Sequence, residues 1–201
     1  MIHANFLNMT SVFPLTKRIV AQRQLVAAIR LLFNEADLVP VYSLAANAWE
    51  IIDTLATRAG IDSISNQARE QIPLDRDLKY HYINSPYRNF FKHADRDPDA
   101  SVPPLNDGNV ESIVFLAVED YLRLFGMSPI EFQVYQLWYL AKYAEKLSTK
   151  AMARVLDEIR VTFPNIRELT RGEQLSMARS ALASAQADAD LKKDSRTEGY
   201  L

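Results

Sequence analysis

Along most of this chain apolar residues recur at the three- and four-residue spacing of helices packed on one side, and proline and glycine mark where that rhythm stops. A first helix is expected from Leu15 to Ala36, with Ile19, Leu25, Val26, Ile29, Leu32 and Phe33 on one face. A second runs from Pro40 to Gly60, carrying Leu44, Ala48, Ile51, Ile52 and Leu55, with Trp49 extending the same core. Pro73 divides "SNQAREQIPLDRDLKYHYIN" into two short helical pieces, because its ring cannot sit inside a continuous helix. A third long helix spans Asn109 to Phe125 and is closed by Gly126.

The phrase "SPIE" predicts an N-cap at Ser128, a first-turn Pro129 and a capping box closed by Glu131. It opens a fourth helix from Pro129 to Leu147 that holds Phe132, Tyr135, Leu137, Trp138 and Tyr139, and another helix covers Thr149 to Thr162. The last, Thr170 to Lys193, is rich in alanine with little to bury, so it is expected at the periphery, as a partner surface or a frayed end. No alternating strand pattern persists and no repeat is visible. The fold expected is all-α: a single-domain helical bundle of five long and two or three short helices over residues 1–194, with a disordered tail at 195–201.

Composition narrows the classes without choosing among them. Of 201 residues, 48% are hydrophobic and 24% charged, and the 23 basic and 25 acidic residues are interspersed, so no block of one sign advertises a nucleic acid or membrane surface. Any such partner must be met by a local patch. The chain has no cysteine, and its only histidines are His3, His81 and His93, which excludes thiolate metal sites and argues against a multi-histidine centre. No apolar run reaches the ~20 residues that cross a bilayer. The start lacks a basic leader before an apolar stretch, so a cytoplasmic protein is expected, without a cofactor or a membrane partner.

The segment "INSPYRNFFKHADRDPDA", Ile83 to Ala100, departs from this pattern. Ser85 and Pro86 predict the start of a short helix, "PYRNFFKHA", at the centre of the bundle. Steps of ~100° put Tyr87, Phe90, Phe91 and Ala94 on one buried stripe. Arg88, Lys92 and Arg96 then form a basic rail on one flank, with Asn89 and His93 one turn apart on the other.

The string "RNFFKH" resembles the Arg-polar-x3-His motif of the HEPN superfamily, small helical domains that include metal-independent ribonucleases and nucleotide-binding modules. The resemblance implies an RNA- or nucleotide-acting protein, as a metal-independent endoribonuclease, with its site shared across a homodimer. Carried over, it gives His93 as general acid or base, Arg88 as the phosphate-stabilising cation and Asn89 as the orienting residue, with Arg88, Lys92 and Arg96 on the RNA. If the second helix matches the family's earlier one, Asn47 or Glu50 reaches this site. The longer phrase "NFFKHADRDP" also resembles a group of uncharacterised, mostly bacterial, helical proteins.

A second class competes: a non-catalytic protein-interaction module in which His93 is a structural hydrogen-bonding hub fixing the following loop. Because Arg88 and His93 stand ~140° apart around one helix, catalysis requires two copies meeting along it. Asp95, Asp97 and Asp99 alternate as calcium ligands do, but the sixth loop place is Ala100, the twelfth is Asn106 and Pro98 stiffens the loop, so turn-forming aspartates paired with Arg96 or Arg76 are expected and no metal. "FQVYQLWYLAKY" reads as core, Asp75 and Lys79 as a surface pair, and His81 shows no partner by spacing.

Overall fold

The computed structural model describes residues 14–143 and 153–199. Among these the protein is all-α: α1 (Lys17–Phe33), α2 (Leu38–Ala59), α3 (Ile64–Gln71), a π-type helical segment (Leu78–Arg88), α4 (Asp107–Phe125), α5 (Ile130–Lys142), α6 (Ala153–Thr162) and α7 (Arg171–Ala187), with two short 3-10 turns. The expected end of the fourth helix at Leu147 and start of the next at Thr149 lie outside the described residues. No described helix is long and apolar enough to cross a membrane.

Local chemistry sets the helix ends. The Thr16, Asp37, Ser63 and Asn106 side chains each accept a hydrogen bond from a first-turn backbone N–H. Gly60 and Gly126 close α2 and α4 in the left-handed conformation, at φ 65° and 70°, where a Cβ would be strained. At α7, Thr170 and Glu173 form a complete capping box.

α2 is the central helix, packed chiefly against α1 on one side and α4 on the other. Its buried positions are Val41, Tyr42, Ala45, Ala46, Ala48, Trp49, Ile52 and Ala56, while Leu44, Ile51 and Leu55 are only half-buried. Of the expected face, Ala48, Ile52 and Trp49 are buried, while Leu44 and Ile51 pack at the edge of the core. A helix enclosed by two neighbours needs small residues where the axes come close, and alanines supply them. Phe33, Tyr135 and Trp138 meet beyond the α1 C-terminus, Phe33 standing 5.5 Å from Trp138 in an edge-on contact.

Four expectations about local structure are corrected. Ser128 and Glu131 form no capping box: Pro129 occupies the N-cap position without a side-chain bond, and Glu131 is instead drawn to Arg30 at 2.6 Å and Gln186 at 3.0 Å. The residues expected as a disordered tail are ordered through Gly199. Ser128 N–H donates to Arg196 O and Glu198 N–H to Ser128 O, both at 2.9 Å, and the Glu198 carboxylate, 8% exposed, takes Arg18 at 2.6 Å and the Tyr121 hydroxyl at 2.7 Å. α7 is docked, not frayed, since Leu175, Ala178 and Leu182 are buried and Trp138 Nε1 donates to Gln174 O at 3.1 Å. Lys79 ignores Asp75 and crosses to Glu50 at 2.6 Å.

Candidate functional site

The π-type segment winds from Leu78 to a kink at Ser85 (φ −108°, ψ 138°), and helical backbone resumes from Pro86. It stops sooner than the apolar stripe suggests: Phe91 N–H bonds Tyr87 O and His93 N–H bonds Asn89 O, after which the chain turns. Tyr87 is buried, Phe90 and Phe91 are half-buried and Ala94 is exposed. The short helix therefore forms a corner of the bundle, not its centre. Tyr42 of α2 anchors it, with edge-on contacts to Tyr87 and Phe91 at 5.5 and 6.2 Å and a 2.8 Å bond from its hydroxyl to Ile83 O.

This anchoring aims Arg88 at α2. Its Nε and Nη2 donate to Asn47 Oδ1 at 3.2 and 3.1 Å, its Nη1 donates to Asn84 Oδ1 at 3.0 Å, and Nη2 also pairs with Glu50. The planar guanidinium fork suits such a set of divergent acceptors. Lys79 holds the other Glu50 oxygen, and Lys92 Nζ donates to Asn47 Oδ1 at 2.9 Å. Asn47 and Glu50, alternatives in sequence, thus both reach Arg88.

Three cations and one carboxylate share this corner. Burial pushes the Glu50 carboxyl up, but the hydrogen bond from Lys79 and the Arg88 charge outweigh it and hold the group below its ordinary range. Lys92 lies below the usual lysine range, first through burial and then through the positive charge of Arg88. That repulsion marks an excess of positive charge, which an anion would relieve.

Asn89 is exposed and His93 half-buried, and among the described residues neither side chain has a hydrogen-bond partner. The structure joins Arg88 and Lys92 through Asn47, while no bond links Arg88 to His93 or Asn89. Arg96 is exposed beyond the turn. Asp95, Asp97 and Asp99 form no ion pair with Arg96 or Arg76 and, among the described residues, no metal-holding cluster. His81, partnerless by spacing, accepts from Asp77 N–H through Nδ1 at 2.8 Å.

Two buried acidic groups escaped the sequence reading. Glu111 of α4, 0% exposed, is held by Lys142 at 2.7 Å, Arg171 at 2.6 Å and the Tyr143 hydroxyl at 3.0 Å. Asp120, also fully buried, accepts from the Ser65 hydroxyl and N–H, and Trp49 Nε1 donates to Ser65 Oγ at 2.8 Å. Burial raises the Asp120 carboxyl despite those donors. Their signal was available: Glu111 shares a stripe with Val114 and Val118, and Asp120 one with Ile113 and Ala117, where a carboxylate needs a partner. Set against protein-family models, curated proteins and solved structures, the chain has no match.

Proposed function

We infer that this protein acts on RNA or a nucleotide, as a HEPN-like metal-independent endoribonuclease whose site is completed by a second copy. The observation that carries this reading is the contrast along one short helix. Arg88 is held by Asn47, Asn84 and Glu50 within a positively charged corner, while Asn89 and His93 beside it keep unbonded side chains. Arg88 and Lys92 supply the charge that meets phosphate, and the imidazole moves the proton of a ribose 2′-hydroxyl near neutral pH. Because Arg88 faces α2 and is not bonded to His93, the histidine of one copy serves the phosphate held by the other.

The test is cleavage of a generic single-stranded RNA in chelator, together with the solution mass. The wild type should cleave as a dimer, and His93→Ala should lose about 10²-fold or more of the rate. A monomer that leaves RNA intact sinks the reading. The second reading, a non-catalytic interaction module with a structural corner, rests on the same Arg88: only 12% exposed and bonded to Asn47, Asn84 and Glu50, it ties the segment to α2. It is favoured if Arg88→Ala lowers the melting temperature while neither RNA binding nor cleavage is detectable.

A further inference from the structure

The Leu78–Arg88 segment that ends in Arg88 gives another part of its surface to a cavity of about 390 Å³, closed on the far side by the first two turns of α4. π-type turns within helices occur frequently at functional sites, where the wider backbone turns side chains out of ordinary helical register. The volume falls within the range of small-molecule sites.

The lining identifies a ligand class. Among the described residues it contains the rings of Tyr42, His81, Tyr82 and Tyr87 and the polar side chains of Ser85, Asn109 and Ser112, and no Asp, Glu, Lys or Arg. With neither Lys nor Arg, the lining has no full positive charge to neutralise a phosphate or a carboxylate. Aromatic faces suit a flat ring, and a carboxamide offers a donor and an acceptor side by side, as the edge of a nucleobase requires. The Tyr82, Ser85 and Asn109 side chains have no hydrogen-bond partner among the described residues, so their polar atoms are available. His81 accepts through Nδ1, which places the ring's donor on Nε2. Tyr82 is 49% exposed, as a stacking platform at a cavity mouth must be.

We propose that this cavity is a base-binding site, which receives one unpaired nucleobase while Arg88 and Lys92 take the backbone phosphate of the same nucleic acid. The inference rests on the RNA- or nucleotide-acting reading and supplies what that reading lacks, a feature that distinguishes a nucleotide from any other anion. Because the cavity lining is uncharged, its share of binding changes little with salt, whereas the share from Arg88 and Lys92 falls as salt rises.

Adenosine and uridine, which carry no phosphate, separate the two contributions. Titrated into the full chain and followed by isothermal calorimetry, at least one should bind saturably at millimolar concentration or below. Tyr82→Ala and Asn109→Ala should each weaken that binding about tenfold. Ser112→Leu, which fills the cavity from an exposed helical position, should abolish it, and Lys92→Ala should leave it unchanged. Failure of both nucleosides to bind, in a protein that binds RNA through Arg88 and Lys92, overturns the base site and leaves the functional reading standing. Binding that ignores Tyr82→Ala and Ser112→Leu places the nucleoside elsewhere and also overturns it. Nucleoside binding with the expected variant pattern, in a protein that neither binds nor cuts RNA, supports the cavity and removes the ribonuclease.

Discussion

Glu50 and Glu111 are built alike, each a carboxylate on a long helix that receives two cations from distant positions, Lys79 and Arg88 for the first, Lys142 and Arg171 for the second. They differ in access to water. The Glu111 side chain is 0% exposed and Glu50 30%. At Glu111 the desolvation of the carboxylate and of Lys142 is offset by their contact with each other and with Arg171, which also pairs with Asp107 at 3.0 Å, supported by Tyr143 and by Lys142 lying 4.4 Å over the Trp138 ring. At Glu50, water can replace a departing cation, so loss of that ion pair leaves less buried charge uncompensated. A carboxylate between two cations is thus a buried joint in one place and a water-accessible ion pair in the other.

The largest expected effect tests that distinction directly. Glu111→Ala leaves Lys142 and Arg171 without their shared partner and should cost about 3–5 kcal/mol in urea denaturation. Glu50→Ala, where solvent reaches the released cations, should cost about 1 kcal/mol. Equal losses would break the comparison. Next in size is Arg88→Ala, which removes the tie between the short helix and α2 and should cost about 1–3 kcal/mol. Arg88→Lys should recover little, because one ammonium cannot span Asn47, Asn84 and Glu50 as the fork does. Full recovery by lysine would show that charge alone matters there.

A smaller effect separates the acidic groups by sign. The Glu50 carboxyl titrates lower in the folded protein than when free. Its stabilisation is therefore present above the ordinary glutamate range and lost as pH falls through the folded value. Asp120 is raised by burial, so its contribution runs the other way, fully present below the ordinary aspartate range and lost as pH rises through the folded value. Denaturation midpoints measured from neutral to acid pH should fall less steeply for Glu50→Gln than for the wild type. A steeper fall would contradict the assigned direction.

The same contrast explains what the sequence made legible. Helix existence and several ends followed from patterning and punctuation, because Gly60 and Gly126 act within a few residues, whereas the last helix stops at Ala187, short of Lys193. The partners of ionised groups did not follow. Lys79 had Asp75 one turn away and took Glu50 instead, because the fold brings a helix carrying an acid alongside. Glu131 was placed well for a capping box but serves Arg30 and Gln186 across helices. Ser195 to Gly199 include no large apolar residue, yet Glu198 finds Arg18 and Tyr121 in the fold, so polar docking orders what read as a tail. At the candidate site, Arg88 with Asn47 or Glu50 was readable as a meeting of two elements, and only coordinates could show that both acceptors are used at once.

The smallest effect in stability is the one that bears most on function. Asn89 and His93 make no side-chain hydrogen bond among the described residues, so replacing either with alanine removes no fold contact of that kind. Substitutions of that sort ordinarily stay within about 0.5 kcal/mol. Arg88, one residue from Asn89 and five from His93, is by contrast expected to cost several times more. A His93→Ala protein as stable as the wild type, but with RNA cleavage lost, would place the imidazole's role in chemistry. A loss of more than about 1 kcal/mol would instead make His93 part of the corner that Arg88 holds, because a residue outside the fold's bonding cannot be that costly to remove.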